Sequence, residues 1–494
     1  MIPRAGEVRG VLVGRNGRLY LGSQDAFDVH DFVSDTGFNP TLIQRWRRTL
    51  RRRAREMKRR GIPYAVWFVP DAHSVYPEDL PAGIDPHFTP PSRRFLDAVR
   101  DIEDVIFIDP LDALRSAKGG LDLYKKTESH WTEYGSYIGY QQFCRAVSPF
   151  VDITQIPARD VLFKFKRLFG DLGVQMEPEQ SEMVPTAILS GHEGAVEASN
   201  DGVGRVGLLY SYSSTAVKSK AMFYRDSFMS DLFPFITRSF SETMMAGSTS
   251  RVFLDFVDSW KPNIVTNEIG ERRLHVWESD HGPECFEDIY RNDFTGPSGK
   301  AALRAMLHLQ RGNDSEAAIH TREFADHNDL DPGLAYIAAR VAFSQRAFAD
   351  AERLINMALA GRPERPSYLC LASQAAFGLG DNKRAISLAR RSIEQMPYNG
   401  YFHELLLYEL ITDGQHEAAY AHVQSVLADF DDNQILHFWA AALREYKGEM
   451  ESAREAIAEA LILYPEDPSA LEIAKRLGCV PAEGFSPHHS APLN

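Results

Sequence analysis

A chain of 494 residues has room for two or three domains, and 44% apolar with 25% charged residues is the profile of a soluble globular protein. The net charge of −14 lacks the basic footprint of a nucleic-acid binder. No run approaches the roughly 18 apolar residues of a transmembrane segment. The four cysteines, Cys144, Cys285, Cys370 and Cys479, form no CxxC pair, so neither a zinc site nor a disulfide framework is signalled, and no metal or cofactor is expected. The opening stretch MIPRAGEVRGVLVGRNGRLYLGS has no apolar run of signal-peptide length, which predicts a cytoplasmic protein.

In chain order, GRNGRLYLGS (14–23) predicts two short strands about a turn at Asn16-Gly17. NPTLIQRWRRTLRRRAREMKRRG predicts a helix capped by Asn39, begun by Pro40 and ended by Gly61. Leu42, Ile43, Trp46, Leu50, Ala54 and Met57 share one face of it. The other carries ten Arg or Lys residues between Arg45 and Arg60, which reads as a solvated face before it reads as a lipid-binding one. IPYAVWFVP (62–70) and DVIFIDP (104–110) are apolar runs suited to buried parallel strands. AMFY (221–224) and KPNIVTNEI (261–269) predict two more, with a helix near 250–260 between them. RDSFMSDLFPFITRSF, after AMFY, has helical spacing at Phe228, Leu232, Phe235 and Ile236. Alternating strands and helices predict an α/β domain with a mostly parallel sheet, whose ligands bind beyond the carboxyl ends of the strands.

That rule singles out Ser227, three residues beyond AMFY at the start of the next element. Its hydroxyl is either a nucleophile, with the helix amino terminus stabilising an oxyanion, or part of a helix cap with Asp226. LYKKTESHWTEYGSY places Glu128 and His130 two apart in a non-helical loop, also between a strand and a helix. Serine, histidine and carboxylate are the parts of an acyl-transfer triad: the imidazole takes the serine proton and the carboxylate orients the ring. Whether His130 reaches Ser227 depends on the fold.

Residues from about 8 to 280 resemble the SGNH-hydrolase-like domain of the alginate O-acetylation proteins AlgX and AlgJ. The similar segments fall in order: VGRNGRLYL, FVPDAHSVYPEDLP, LYKKTESHWTEYGSY, FGDLG, FYRDSF and KPNIVTNEIGERRL. The resemblance implies a flavodoxin-like SGNH fold and O-acetyl ester chemistry on a polysaccharide, with Ser227 as nucleophile, His130 as general base and Glu128 as orienting acid. The oxyanion would be met by the Ser227 backbone N–H, with Gly170 or Gly173 of FGDLG as further candidates. Three departures stand out. Glu128 is one methylene longer than the usual aspartate. Ala72 stands where a lysine is often found, with His73 beside it. The family's members are exported, against the cytoplasmic expectation.

The last third repeats. Gly312, Arg346, Gly380, Gly414 and Gly448 are spaced 34 residues apart, and Ala317, Ala351, Ala385, Ala419 and Ala453 follow each by five. Ala358 and Ala460, then Pro363, Pro397 and Pro465, extend the pattern. A turn, a small residue for close helix packing and a stopping proline make a helix-turn-helix unit, and the period resembles tetratricopeptide repeats. Such stacks bind protein partners or brace a neighbouring domain. The expected layout is 1–290 catalytic, 296–480 repeats and 481–494 a disordered tail. The expected function is polysaccharide O-acetylation, from an undetermined acetyl donor to a glycan acceptor in exopolysaccharide or cell-surface biosynthesis. A carbohydrate acetylesterase and a non-catalytic glycan-binding assembly factor are the competing readings.

Overall fold

The computed structural model describes residues 7–22, 29, 33, 39–191, 195–199, 207–214, 216–248, 250–289, 296–322, 324–327 and 330–479. The tail 481–494 lies outside them. They fall into two compact units, 1–278 and 279–494.

The first unit opens with a small antiparallel sheet of β1 (Glu7–Val8), β2 (Val11–Val13) and β3 (Leu19–Leu21). Asn16 and Gly17, at φ +55° and +74°, make the tight reversal between β2 and β3. The principal sheet has seven strands. They are β4 (Tyr64–Val69), β5 (Ile106–Ile108), β8 (Ala195–Ser199), β9 (Leu208–Ser213), β10 (Lys220–Tyr224), β11 (Glu242–Ala246) and β12 (Ile264–Gly270). Their order is β5-β4-β12-β10-β11-β9-β8; the first five pair in parallel, and β9 pairs antiparallel with both β11 and β8. A separate hairpin pairs β6 (Val161–Leu168) with β7 (Glu182–Leu189).

Every residue of β4 is buried, because helices cover both faces of the sheet. Alternate side chains serve opposite layers: Trp67 stacks on Phe143 at 4.8 Å, whereas Phe68 meets Phe95 edge-on at 5.5 Å. The helix Pro40–Arg59 is capped by Asn39, whose side chain accepts from the Leu42 N–H at 2.7 Å. Its basic face is not simply solvated. Arg52 and Arg53 are buried, and Arg47, Lys58 and Arg60 pair with Asp101, Asp104 and Asp258.

The helix expected after AMFY is instead a 3-10 turn, Ser227–Leu232, running into a single helical turn, Phe233–Ile236. Pro234 lacks an N–H, so the i→i−4 ladder cannot extend back through it. The fold class is therefore an SGNH/flavodoxin-like α/β sheet flanked by helices, followed by an all-α repeat region.

In the second unit the helix pairs include 332–344 with 348–361, 366–378 with 382–395, 400–412 with 416–426, and 434–446 with 450–463. Ala317, Ala351, Ala385, Ala419 and Ala453 are wholly buried, which lets paired helices approach. Gly312, Gly380, Gly414 and Gly448 turn the chain at φ between +70° and +82°. Arg346 adopts the same left-handed conformation, at +58°, despite its side chain. No helix among the described residues is long and apolar enough to cross a membrane.

Candidate active site

Parallel pairing puts the carboxyl ends of β4, β10 and β12 at one rim, so the segments after them meet: Asp71 after β4, Ser227 after β10, and Glu271 and Arg272 after β12. The loop before the helix Glu133–Val147 reaches the same rim. Tyr124 and Trp131 form an isolated antiparallel bridge, and the Thr132 N–H donates to the Leu123 carbonyl at 2.9 Å. Residues 125–130 are thereby closed into a tight loop that carries Glu128 and His130.

Ser227 and His130, 97 positions apart, are in direct contact. Ser227 Oγ lies 2.7 Å from His130 Nε2, and His130 Nδ1 is hydrogen-bonded to Glu128 Oε1. Ser227 is exposed, whereas the His130 and Glu128 side chains are mostly covered. Of the two residues that could cap the turn, it is Asp226 whose side chain does so. Asp226 caps the turn, its Oδ1 accepting from the Phe228 N–H at 2.8 Å, which leaves the Ser227 hydroxyl to the imidazole. Asp226 Oδ2 also accepts from the Gly270 N–H at 2.8 Å, pinning the turn to the end of β12. Beneath it, Glu268 is wholly buried, and burial together with the Asp226 charge pushes its carboxyl well above the ordinary range.

Trp131 fastens the histidine loop to the serine turn: its Nε1 donates to the Phe228 carbonyl at 2.9 Å, and the Phe228 ring lies edge-on to His130 at 4.7 Å. The other oxygen of Glu128 is 2.5 Å from Lys125 Nζ, which also lies 3.0 Å from Asp231 Oδ2. Burial disfavours ionised Glu128, but the hydrogen bond and charge of His130, with the Lys125 ammonium, outweigh it and hold the carboxyl at about 2. Asp231 moves the other way: burial raises it, and the Lys125 charge only partly offsets that rise. Two carboxylates flank one ammonium, and the one that also has the histidine is the one whose pKa is lowered.

Arg272 ties down the rim. It pairs with Asp71, donates to the Ser129 carbonyl, and holds its guanidinium 4.9 Å from the centre of the Phe228 ring. Glu271 is buried and accepts from the Asp71 and Ser92 N–H groups and from the Ser74 and Ser92 hydroxyls, at 2.6–2.9 Å. His73 is buried beside it, 3.7 Å away, and burial lowers its pKa below the ordinary value. With Ala72 it lines a small cavity that also touches Glu128, Ser129 and Arg272. A cavity of about 830 Å³ opens at the amino-terminal ends of the strands, beside Pro63, Ser219 and Asn263, away from Ser227.

The FGDLG segment packs against the acid-histidine loop. The Leu172 and Gly173 N–H groups donate to the Thr127 carbonyl at 3.1 and 2.8 Å, and Asp171 accepts from the Ser129 N–H and hydroxyl. Gly173's N–H is thus spent on the loop and is not turned to an oxyanion. Glu128, His130 and Asp171 bring ligand-type atoms within 4.8 Å of one another. The Lys125 ammonium, 2.5 Å from Glu128, already places a cation beside this set. Lys125, Asp231, Arg272 and Trp131 are site residues that sequence reasoning passed over. Arg272 was within reach of the rule that placed Ser227, since it follows a strand by two residues.

Residues 11–198 match the family described as SGNH hydrolase-like domain, acetyltransferase AlgX. The match contains Glu128 and His130 and ends before Ser227. The chain carries an SGNH-hydrolase-like domain related to the AlgX/AlgJ family, together with a helical region resembling tetratricopeptide-fold proteins. Among its relatives, the "Probable alginate O-acetylase AlgJ" of Pseudomonas fluorescens is 24% identical over 291 residues, 53% of this chain and 70% of that one. Bacillus cereus PatB1 is similar over 53% of this chain and 96% of its own, at 15% identity and a TM-score of 0.41. A thermophilic tetratricopeptide-repeat protein of Thermus thermophilus is similar over 37% of this chain and 97% of its own, at 19% identity and a TM-score of 0.31. The cytoplasmic expectation is corrected by this kinship, since AlgX/AlgJ relatives are periplasmic or secreted. It rested on a missing apolar run near the amino terminus, and such an absence does not report a compartment.

Proposed function

We propose that this protein is a polysaccharide O-acetyltransferase of bacterial exopolysaccharide or cell-surface glycan biosynthesis, working through Ser227, His130 and Glu128. The observation that carries the reading is the 2.7 Å contact between Ser227 Oγ and His130 Nε2, with Glu128 on the opposite ring nitrogen. The match to a family described as an acetyltransferase and the relative named as an O-acetylase support it.

Glu128 accepts the Nδ1–H, which leaves Nε2 as the basic nitrogen. As Ser227 Oγ attacks the carbonyl carbon of an acetyl ester, its proton passes to Nε2, and the imidazolium is stabilised by Glu128. The tetrahedral oxyanion faces the Ser227 N–H. On its collapse the ester C–O bond breaks, and the departing alkoxide takes the proton from Nε2. A sugar hydroxyl then gives its proton to Nε2 as it attacks the acetyl-serine. Collapse of that second intermediate forms the new sugar acetate and returns the proton to Ser227 Oγ. The helical repeats serve to dock a protein partner.

The exposure of Ser227 favours one second reading, an acetylesterase in which water takes the place of the sugar. Hydrolysis of an aryl acetate, with and without added oligosaccharide, separates the two: a transferase yields acetylated sugar at the expense of free acetate. Ser227→Ala should abolish both products and labelling by a sulfonyl fluoride. Ester turnover at the wild-type rate with the alanine variant refutes the triad, and full function of a variant without turnover leaves an assembly factor.

A further inference from the structure

We propose that Lys125, anchored by Asp231, is a positioning residue that fixes the Glu128 carboxylate on His130 and links the histidine loop to the nucleophile turn. The inference rests on the triad reading above. Lys125 Nζ lies 2.5 Å from Glu128 Oε2 and 3.0 and 3.2 Å from the two oxygens of Asp231. The side chains of Lys125, Glu128 and Asp231 are only 13%, 14% and 17% exposed, so the ammonium sits between two carboxylates largely out of water. A surface pair of this kind contributes little, but a covered one that is fully paired holds its geometry.

Both ends of the contact matter. Glutamate has one more rotatable bond than aspartate, and a carboxylate held only through the oxygen facing His130 would pivot about it. Lys125 takes the second oxygen and removes that freedom. At the far end, Asp231 belongs to the 3-10 turn that begins with Ser227, and its carbonyl accepts from the Ser136 hydroxyl at 2.7 Å. The Lys125 backbone N–H donates to the His130 carbonyl at 3.2 Å, so the lysine is bound to the histidine at the backbone as well. One side chain thereby sets the spacing between the acid, the base and the turn that presents the nucleophile.

The charge count points the same way. Besides His130 and Lys125 on its own loop, Glu128 has the acids Asp231, Glu133, Asp171 and Glu182 on the elements packed around the loop, and the cation Arg272 at Ser129. Without Lys125, Glu128 would be a covered carboxylate beside covered Asp231, and two like charges so placed compete for a proton. A protonated Glu128 no longer stabilises the imidazolium. Deleting a cation beside Glu128 favours its protonated form, so activity should fail at higher pH on the acid side.

The test is the pH dependence of aryl-acetate hydrolysis by the full chain, with Ser227→Ala as the inactive control. Lys125→Met should move the acid limb of kcat/KM upward by about one pH unit and lower kcat roughly tenfold or more, with KM nearly unchanged. Lys125→Arg, which keeps the charge, should restore the limb and much of the rate. Lys125→Gln, polar and nearly as long, repeats the comparison should the methionine variant not fold. A lysine that only braces the fold would lower the unfolding midpoint and leave the limb in place. An unmoved limb and unchanged kcat in the folded methionine or glutamine variant overturn the inference while the triad stands. A wild-type protein with neither ester turnover nor sulfonyl labelling of Ser227 overturns both.

Discussion

Gly170→Ala tests how closely FGDLG is seated on the acid-histidine loop. A Cβ at Gly170 would lie 2.1 Å from the Thr127 carbonyl oxygen and 2.5 Å from Glu128 Cβ. Ordinary contact begins near 3.4 Å, so the two loops must part by about 1 Å. The backbone at Gly170 is not in the left-handed region, so an alanine is unstrained there apart from this contact. Parting would stretch the Leu172 and Gly173 hydrogen bonds to Thr127 and loosen Asp171 from Ser129. Orphaned buried groups cost about 1–3 kcal/mol each, and one of the two bonds to Thr127 should partly re-form, so the loss should be about 2–4 kcal/mol. Moving Glu128 by about 1 Å should lower kcat about a hundredfold, well beyond what reduced stability explains in a protein still folded at the assay temperature. The assays are the urea midpoint of the first unit and initial rates of aryl-acetate hydrolysis. A variant with wild-type midpoint and rate would show that the loops are not packed as described.

Glu268→Gln should weaken the pH dependence of stability. Because the folded state raises the Glu268 pKa, it binds more protons than the unfolded chain above the ordinary value of 4.5, and stability falls as pH rises from there toward the folded value. Glutamine cannot ionise, so its urea midpoint should gain on wild type as pH rises from about 4 to about 7.5; parallel curves would refute the raised Glu268 pKa. Arg346→Gly should stabilise the repeats, because Arg346 bears the left-handed conformation that glycine holds at the matching turns. Relief of about 1–2 kcal/mol, less the extra freedom glycine has when unfolded, leaves a net gain of about 0.5–1 kcal/mol in the thermal unfolding of the second unit. A lower midpoint would count against it.

The strands that carry the site were readable in the sequence because their runs are apolar on both faces, as in β4, and the residues just beyond them inherit a fixed position. That is why Ser227 stood out. The 34-residue period was readable because each turn and each buried alanine repeats a local requirement. The β6–β7 hairpin was not, since VLFKFKRL mixes exposed lysines with exposed phenylalanine and shows no clean face. Antiparallel β8 and β9 lacked an apolar run for similar reasons. Helical spacing after AMFY misled because periodicity does not register that Pro234 breaks the ladder. Lys125 and Asp231 were invisible as a pair: each is an ordinary polar residue locally, and only the contact between Ser227 and His130 brings them together.

The last strand of the first unit in sequence, β12, lies between β4 and β10 in space. The sheet therefore cannot knit from one end as the chain emerges; two halves must wait for residues 264–270 to be threaded between them. Until then β4 and β10 each offer an open apolar edge, the kind that pairs with neighbouring chains, and a fragment cut before Ile264 should aggregate even though it contains Glu128, His130 and Ser227. The repeats, built from near neighbours, carry no such delay.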